Sequence, residues 1–175
     1  MKKYLILCFA ALALSCSKSD DNNTTGDPIF DAPYRGLKSL NELPVGTLKY
    51  AGNKIGSQPV GLIDANSSSC KKLDALVIDE KKAVLEYYVF GNSEGKECKL
   101  VWDYPGKIVV SELKEAGKMP SEVTTSSSLL GSVYIYKGNL EVGFQAGYLR
   151  IEDKMSNVSQ GTLNKGKSYL YFHIK

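Results

Sequence analysis

The chain has 175 residues, 43% hydrophobic and 23% charged, with no excess of Gly or Pro, which suits one globular domain plus tails and excludes a fibre. Its formal charge is +3, and a chain beginning at Cys16, without Lys2 and Lys3, carries 20 bases against 19 acids, or +1. The bases are scattered among acids, as in "KKLDALVIDEKK", so no nucleic-acid partner is expected.

The first segment reads as a sorting signal. Met1 to Lys3 give a positive start, Tyr4 to Leu14 an apolar run of 11 residues, and Ala13, Ser15 and Cys16 a small-residue cleavage region. That run is too short to span a bilayer as a helix, which takes about 20 residues. "ALSC" resembles the lipobox of bacterial lipoproteins. The resemblance implies a signal peptide over 1–15 and acylation of Cys16, which would tie the protein to a membrane through its N-terminal lipid. An ordinary secretory signal with an incidental cysteine is the alternative. Residues 16–29 are then an anchor and a tether, because "SKSDDNNTTGDP" has no branched apolar residues with which to bury a core. Ser17 to Asp21 resemble the acidic signal that sends Bacteroidetes lipoproteins to the cell surface. That implies an outer-membrane lipoprotein displayed outward, with a periplasm-facing location as the alternative.

With Cys8 leaving in the signal and Cys16 carrying lipid, Cys70 and Cys98 remain in an oxidising compartment and are expected to form one disulfide. Two cysteines without a CxxC spacing and a single His173 give no expectation of a metal site.

Residues 30–175 read as one β domain. Short runs rich in Val, Ile, Leu, Tyr and Phe recur every eight to twelve residues or so, the spacing of a sheet meander. Strands are expected near "GTLKYAG", "PVGLID", "DALVID", "AVLEYYVF", "CKLVWDY", "KIVVSEL", "GSVYIY", "LEVGF", "YLRIED" and "SYLYFHI". Pro105 and Gly106 suit a type II turn, and Gly138 with Asn139 suits a tight hairpin. The best helix candidate is "YRGLKSLNEL", with Leu37, Leu40 and Leu43 at three-residue spacing, stopped by Pro44. "KEAGKMPSEVTTSSS" reads as a loop of about 15 residues, either disordered or lying over a barrel mouth with Met119 and Val123 as its apolar contacts.

Alternation puts Val133, Ile135, Leu140, Val142, Phe144, Leu149, Ile151, Leu170, Phe172 and Ile174 on one apolar face, the expected core. The opposite face carries Tyr134, Tyr136, Glu141, Tyr148, Arg150, Tyr169, Tyr171 and His173. Tyr134, Tyr136, Tyr169 and Tyr171 are candidates for a ligand-stacking surface, since each ring offers area and a hydroxyl. Plain outward tyrosines of a sheet are the other reading.

"LPVGTLKYAGNKIG" resembles the first strand of the lipocalin-like domains of Bacteroidetes lipoproteins, with Gly46, Thr47 and Lys49 matching a "VGTWKL" type segment. "CKKLDALVIDEKKAVLEYY", followed by Cys98, is similar to that family's cysteine, strand, charged turn, strand and partner cysteine. The resemblance implies an all-β fold, a small antiparallel up-and-down barrel of about eight to ten strands, whose interior or mouth takes a small apolar ligand.

Enzyme signatures such as "GxSxG", "HExxH" and "GxxxxGK[ST]" are absent, no cofactor is implied, and the chain is not expected to be an enzyme. Glu112 and Glu115, and Glu152 and Asp153, read as solvated charge. Two functions stay open. One is a lipid-anchored protein holding a small apolar molecule or a glycan, with Tyr87, Trp102 and Tyr104 lining a partly open barrel. The other is a structural lipoprotein with a filled core that contacts envelope protein partners.

Overall fold

A computed structural model describes residues 29–56, 58–62, 70–91, 97–100, 106–127, 132–154 and 166–174. Among the described residues twelve strands run in chain order: β1 Tyr34–Gly36, β2 Gly46–Ile55, β3 Gln58–Leu62, β4 Ala75–Ile78, β5 Val84–Tyr88, β6 Phe90–Gly91, β7 Lys99–Leu100, β8 Gly106–Val110, β9 Lys118–Ser127, β10 Ser132–Gln145, β11 Tyr148–Glu152 and β12 Tyr169–His173. Eight of them, in the order β2, β4, β5, β8, β9, β10, β11, β12 and back to β2, pair antiparallel in a closed ring. The fold is a closed eight-stranded antiparallel barrel. Closure leaves no edge in the ring for another chain to pair with.

The remaining strands are additions to that ring. β3 pairs with the far half of β2, β6 pairs with β7 as a small separate ribbon, and β1 lies beside the C-terminal half of β10. The Leu37 carbonyl accepts from the Gly117 N–H and the Val142 carbonyl from the Leu37 N–H, so β1 continues the line of β9 along the same edge of β10. In β2, Gly52 faces Tyr171 and Tyr50 faces Phe172, leaving Ala51 as the extra residue of a bulge. The bulge turns Ala51 to the outer face, where it packs with Phe30, Tyr169 and Tyr171.

Two stretches depart from the expected pattern. "KEAGKMPSEVTTSSS" is no long loop, because Lys118–Ser127 is the strand β9, with Met119, Ser121 and Val123 buried in alternation. Pro120 is tolerated there because its carbonyl accepts from Ser111, one residue past the end of β8. Its missing N–H therefore falls where no ladder bond is required. Gly138 and Asn139 form no hairpin either, since β10 pairs without interruption to β9 from Ser132 to Glu141. The Tyr136 hydroxyl occupies the space that a side chain at Gly138 would fill, and donates to the Asn139 carbonyl at 3.4 Å. With no turn to reset the alternation, Ile135 points outward, 62% exposed, and Tyr136 packs against the core. The expected burial of Ile135 is thus reversed. The helix expected over "YRGLKSLNEL" is replaced by β1 and a 3-10 turn, Leu40–Glu42.

The barrel interior at one end is aliphatic. Leu76, Ile78, Leu85, Met119, Leu140, Val142, Leu149 and Ile151 are almost wholly buried there, and Leu37 and Leu43 complete this core from the N-terminal segment. The connections at this end are short: residues 79–83, 111–117 and the turn Ala146–Gly147. Leu37, partly buried Leu40 and Leu43 share the three-residue spacing that suggested a helix, and they use it to seal the barrel.

The junction of β1 with β10 depends on glycine. Gly36 and Gly143 are register partners, and a Cβ on Gly143 would stand 2.2 Å from the Arg35 carbonyl oxygen and 2.8 Å from the Gly36 Cα. Gly143→Ala is therefore expected to destabilise by about 1–3 kcal/mol through overpacking, with β1 pushed off β10. Hydrogen exchange of the Leu37 amide checks it, since that N–H bonds to Val142 and should lose protection before the central strands do.

Candidate functional site at the aromatic end of the barrel

The interior is not aliphatic throughout. Tyr50 on β2, Tyr87 on β5 and Phe172 on β12 meet inside the barrel, with Phe172 edge-on to Tyr50 at 6.0 Å and to Tyr87 at 5.6 Å between ring centroids. These separations fall in the range where edge-to-face pairs attract. Strand alternation delivers them, because Tyr50 follows Leu48 and Tyr87 follows Leu85 on inward positions. Asp74 lies beside them, only 3% exposed, between a 3-10 turn, Cys70–Leu73, and β4. Its carboxylate accepts the Phe90 N–H at 2.7 Å and bonds the Tyr87 hydroxyl.

The electrostatics of this group are unusual. Burial pushes the Asp74 carboxyl up to about 6, against the opposing pull of the Phe90 N–H, Lys71 and the Tyr87 hydroxyl. Burial also raises Tyr50 and Tyr87, and the negative charge of Asp74 adds to it. An acid whose folded pKa lies above its unfolded value contributes fully below the unfolded value, and that contribution is lost as pH rises through the folded one. Stability is thus expected to fall between about pH 4 and 6 by up to about 3 kcal/mol from this group. Asp74→Asn keeps an acceptor without the charge. Urea titrations should find it more stable than the parent at neutral pH and nearly equal at pH about 4, the pH slope of the parent being lost.

The disulfide belongs to this end. Cys70 and Cys98 are joined, with Cα atoms 5.5 Å apart, linking the turn before Asp74 to the start of β7. On the chain-entropy model, closing this separation of 28 residues stabilises by about 3.5 kcal/mol. The bridge thus braces the backbone that holds Asp74.

A second polar assembly lies on the outer face of β10, β11 and β12, beneath the N-terminal segment. The Arg150 guanidinium is sandwiched between the rings of Tyr34 at 3.7 Å and Tyr169 at 4.0 Å, and donates to Gln145 Oε1 at 2.9 Å. Glu141 is its hub. The carboxylate accepts from the Tyr169 hydroxyl at 2.6 Å, pairs with Lys118 at 3.3 Å, Arg150 at 3.7 Å and also Lys167. Burial alone would raise the Glu141 pKa, but hydrogen bonds from Lys167, Tyr169 and Lys118 outweigh it and hold the carboxyl at about 2. Gln145 donates to the Phe30 and Ala32 carbonyls at 2.6 and 2.7 Å, fastening the chain before β1 over the assembly.

The tyrosines singled out from sequence are thus divided. Tyr87 lies in the interior group, and Tyr136 packs at the edge of the core. Tyr171, with no exposure, and Tyr169, at 8%, lie under the N-terminal segment, so neither offers an open stacking surface in this arrangement. Tyr134 falls on β10 with its side chain outside the described residues, as are Trp102, Tyr104 and the turn at Pro105. Cys16 and the tether also lie outside them. Glu152 is buried at 4% exposure with Lys154 Nζ 2.5 Å from its Oε1, which corrects the expectation of solvated charge; Glu112 and Glu115 are exposed. Tyr50, Asp74 and Phe172 were not expected as a group. Tyr50 had a signal in the alternation of "TLKYAG", whereas nothing in "KKLDALVID" separates Asp74 from its exposed neighbours.

Comparison with protein-family models, curated proteins and solved structures returns no match. The reading of function therefore rests on the barrel and its two polar assemblies. Among the described residues, no cluster of three or more His, Cys, Asp and Glu side chains is placed to hold a metal ion.

Proposed function

We propose that this chain is a lipid-anchored envelope protein, lipocalin-like in architecture, whose barrel takes a small apolar or glycan ligand at the end carrying Tyr50, Tyr87 and Phe172. The observation that carries this reading is the polarity of the interior. Leu37, Leu40 and Leu43 close one end over aliphatic side chains, whereas Tyr50, Tyr87 and Phe172 meet within the same core and the Tyr87 hydroxyl bonds the buried Asp74 carboxylate. Apolar surface with a few convergent polar groups and a displaced pKa is the usual make-up of a small-molecule site. The rings supply contact area, and Asp74 with the Tyr87 hydroxyl fixes orientation by hydrogen bonding. The role needs no bond-making chemistry, so the proposal is binding without catalysis.

The lipid anchor rests on "ALSC" and the polar tether that follows it. Mass spectrometry of the native protein tests it: an acylated N-terminal Cys16 is expected, and an unmodified terminus elsewhere contradicts it. Outer-membrane display follows from the acidic stretch after Cys16 and is tested by protease accessibility on intact cells.

Calorimetric titration with fatty acids, steroids, aromatic metabolites and neutral oligosaccharides tests the site. One class should bind saturably and should bind about tenfold more weakly to Tyr87→Ala, with circular dichroism confirming the fold. A second reading, contact with envelope proteins, is favoured by the aliphatic filling of the barrel's sealed end. Failure of all four classes to bind would favour that second reading.

A further inference from the structure

The sealed end of the barrel carries a cleft of its own. It measures roughly 390 Å³ and lies between the Leu40–Glu42 turn, the connection from β4 to β5 and the connection from β8 to β9. We propose that this cleft binds an anionic saccharide, a sugar bearing a carboxylate or a sulfate. The site is separate from the aromatic end, and neither depends on the other.

The cleft is basic. Among the described residues, Lys38, Lys81 and Lys82 line the cleft against one acid, Glu112, with Glu42 on the adjoining turn. Among the described residues, no hydrogen bond or ion pair within 4 Å engages the ammonium groups of Lys38 and Lys81; Lys38 also feels the charge of Glu42, whose carboxylate is held by Arg35 at 3.2 Å and by the Lys38 backbone N–H at 3.0 Å. Lys81 is thus left for a ligand, and Lys38, beside Glu42 but not bonded to it through its ammonium group, adds to the positive field. The third is fixed, since Lys82 Nζ donates to the Asn41 carbonyl at 2.7 Å and so joins two walls of the cleft.

Lys82 sits at φ 54°, closing a turn in which its N–H bonds both the Asp79 carbonyl and side chain. Glycine adopts that conformation without strain, whereas lysine is strained there. The turn thereby fixes where the Lys82 side chain leaves the backbone beside the cleft.

The rest of the lining selects the body of the ligand. Ser39, Asn41 and Ser111 offer hydroxyl and amide groups suited to sugar hydroxyls, and Leu40, Val110 and Leu113 offer apolar surface to a ring's C–H face. A bare inorganic anion would leave that surface unused. The volume lies within the range of about 300–1,000 Å³ common to small-molecule sites. Among the described residues no aromatic ring lines the cleft, so affinity rests on charge and must weaken with salt.

The test is calorimetry on the full chain at low ionic strength, with digalacturonate, a sulfated heparin disaccharide, neutral cellobiose and inorganic sulfate as probes. One or both charged sugars should bind saturably, more tightly than cellobiose or sulfate, and should be released in about 0.5 M salt. The double variant Lys38→Gln, Lys81→Gln should bind about tenfold more weakly with an unchanged melting temperature. Lys49→Gln, exposed on β2, should bind like the parent. Absence of binding by both charged sugars, equal binding of cellobiose, binding of sulfate alone, or full affinity in the double variant would each overturn the proposal.

Discussion

Replacing Glu141 with alanine is expected to lower the unfolding free energy by about 3–5 kcal/mol, the range for breaking a buried pair and leaving its partner charged. Glu141 meets Lys118, Lys167, Arg150 and Tyr169 together, and Arg150, whose side chain is 10% exposed, cannot recover full hydration once the carboxylate is gone. Lys118 and Lys167 are open enough to be hydrated, so the loss centres on Arg150. Guanidinium denaturation of Glu141→Ala checks the size. The double variant Glu141→Ala, Arg150→Met checks the cause, because removing both charges should recover much of the loss. The sign with pH is opposite to that of Asp74. A carboxyl held at about 2 stabilises above the unfolded value of 4.5, and the contribution is lost as pH falls through 2. The protein should therefore gain stability from pH about 6 down to about 4.5 as Asp74 takes its proton, then lose it in stronger acid.

Phe172→Ala is expected to cost about 3–5 kcal/mol, the usual loss for a buried phenylalanine. Phe172 has no exposure and is the ring on which both Tyr50 and Tyr87 pack edge-on, so truncation removes two aromatic contacts as well as volume. Phe172→Leu should recover part of the loss by refilling the space without the edge-to-face pairs. Thermal and urea unfolding of the two variants measure the difference. The same pair bears on binding, since Phe172→Leu keeps an apolar wall but removes a ring from the proposed site.

Much of the barrel was legible because its strands alternate. Leu48 and Tyr50, Leu76 and Ile78, and Leu149 and Ile151 each place two large side chains on one face, and all are buried. β9 was illegible for a definite reason: Pro120, Ser121, Thr124 and Thr125 dilute its apolar signal, and only Met119 and Val123 carry the inward pattern. Gly138 misled in the opposite way, reading as turn chemistry where its missing side chain makes room for Tyr136 within a continuous strand. From sequence the outer face of β11 and β12 reads as exposed, because Arg150, Glu152 and Tyr169 are amphipathic or charged. What buries them is the segment around Phe30 and Tyr34, more than 100 residues away in the chain, as the Tyr34 hydrogen bond to Val142 illustrates with a separation of 108. Local periodicity carries no information about such a cover. The same limit applies to the site, where Asp74 is functional in this reading only because β2, β5 and the turn at Cys70 converge on it.

The most direct test of the account is to label methyl and aromatic side chains and record NMR shifts while adding whichever ligand class binds in calorimetry. A ligand in the aromatic end should move the ring signals of Tyr50, Tyr87 and Phe172 while leaving the methyls of Leu37, Leu43 and Leu140 in place. Shifts confined to the sealed end or the barrel's outer face, with those three rings unmoved, would contradict the assignment of the site.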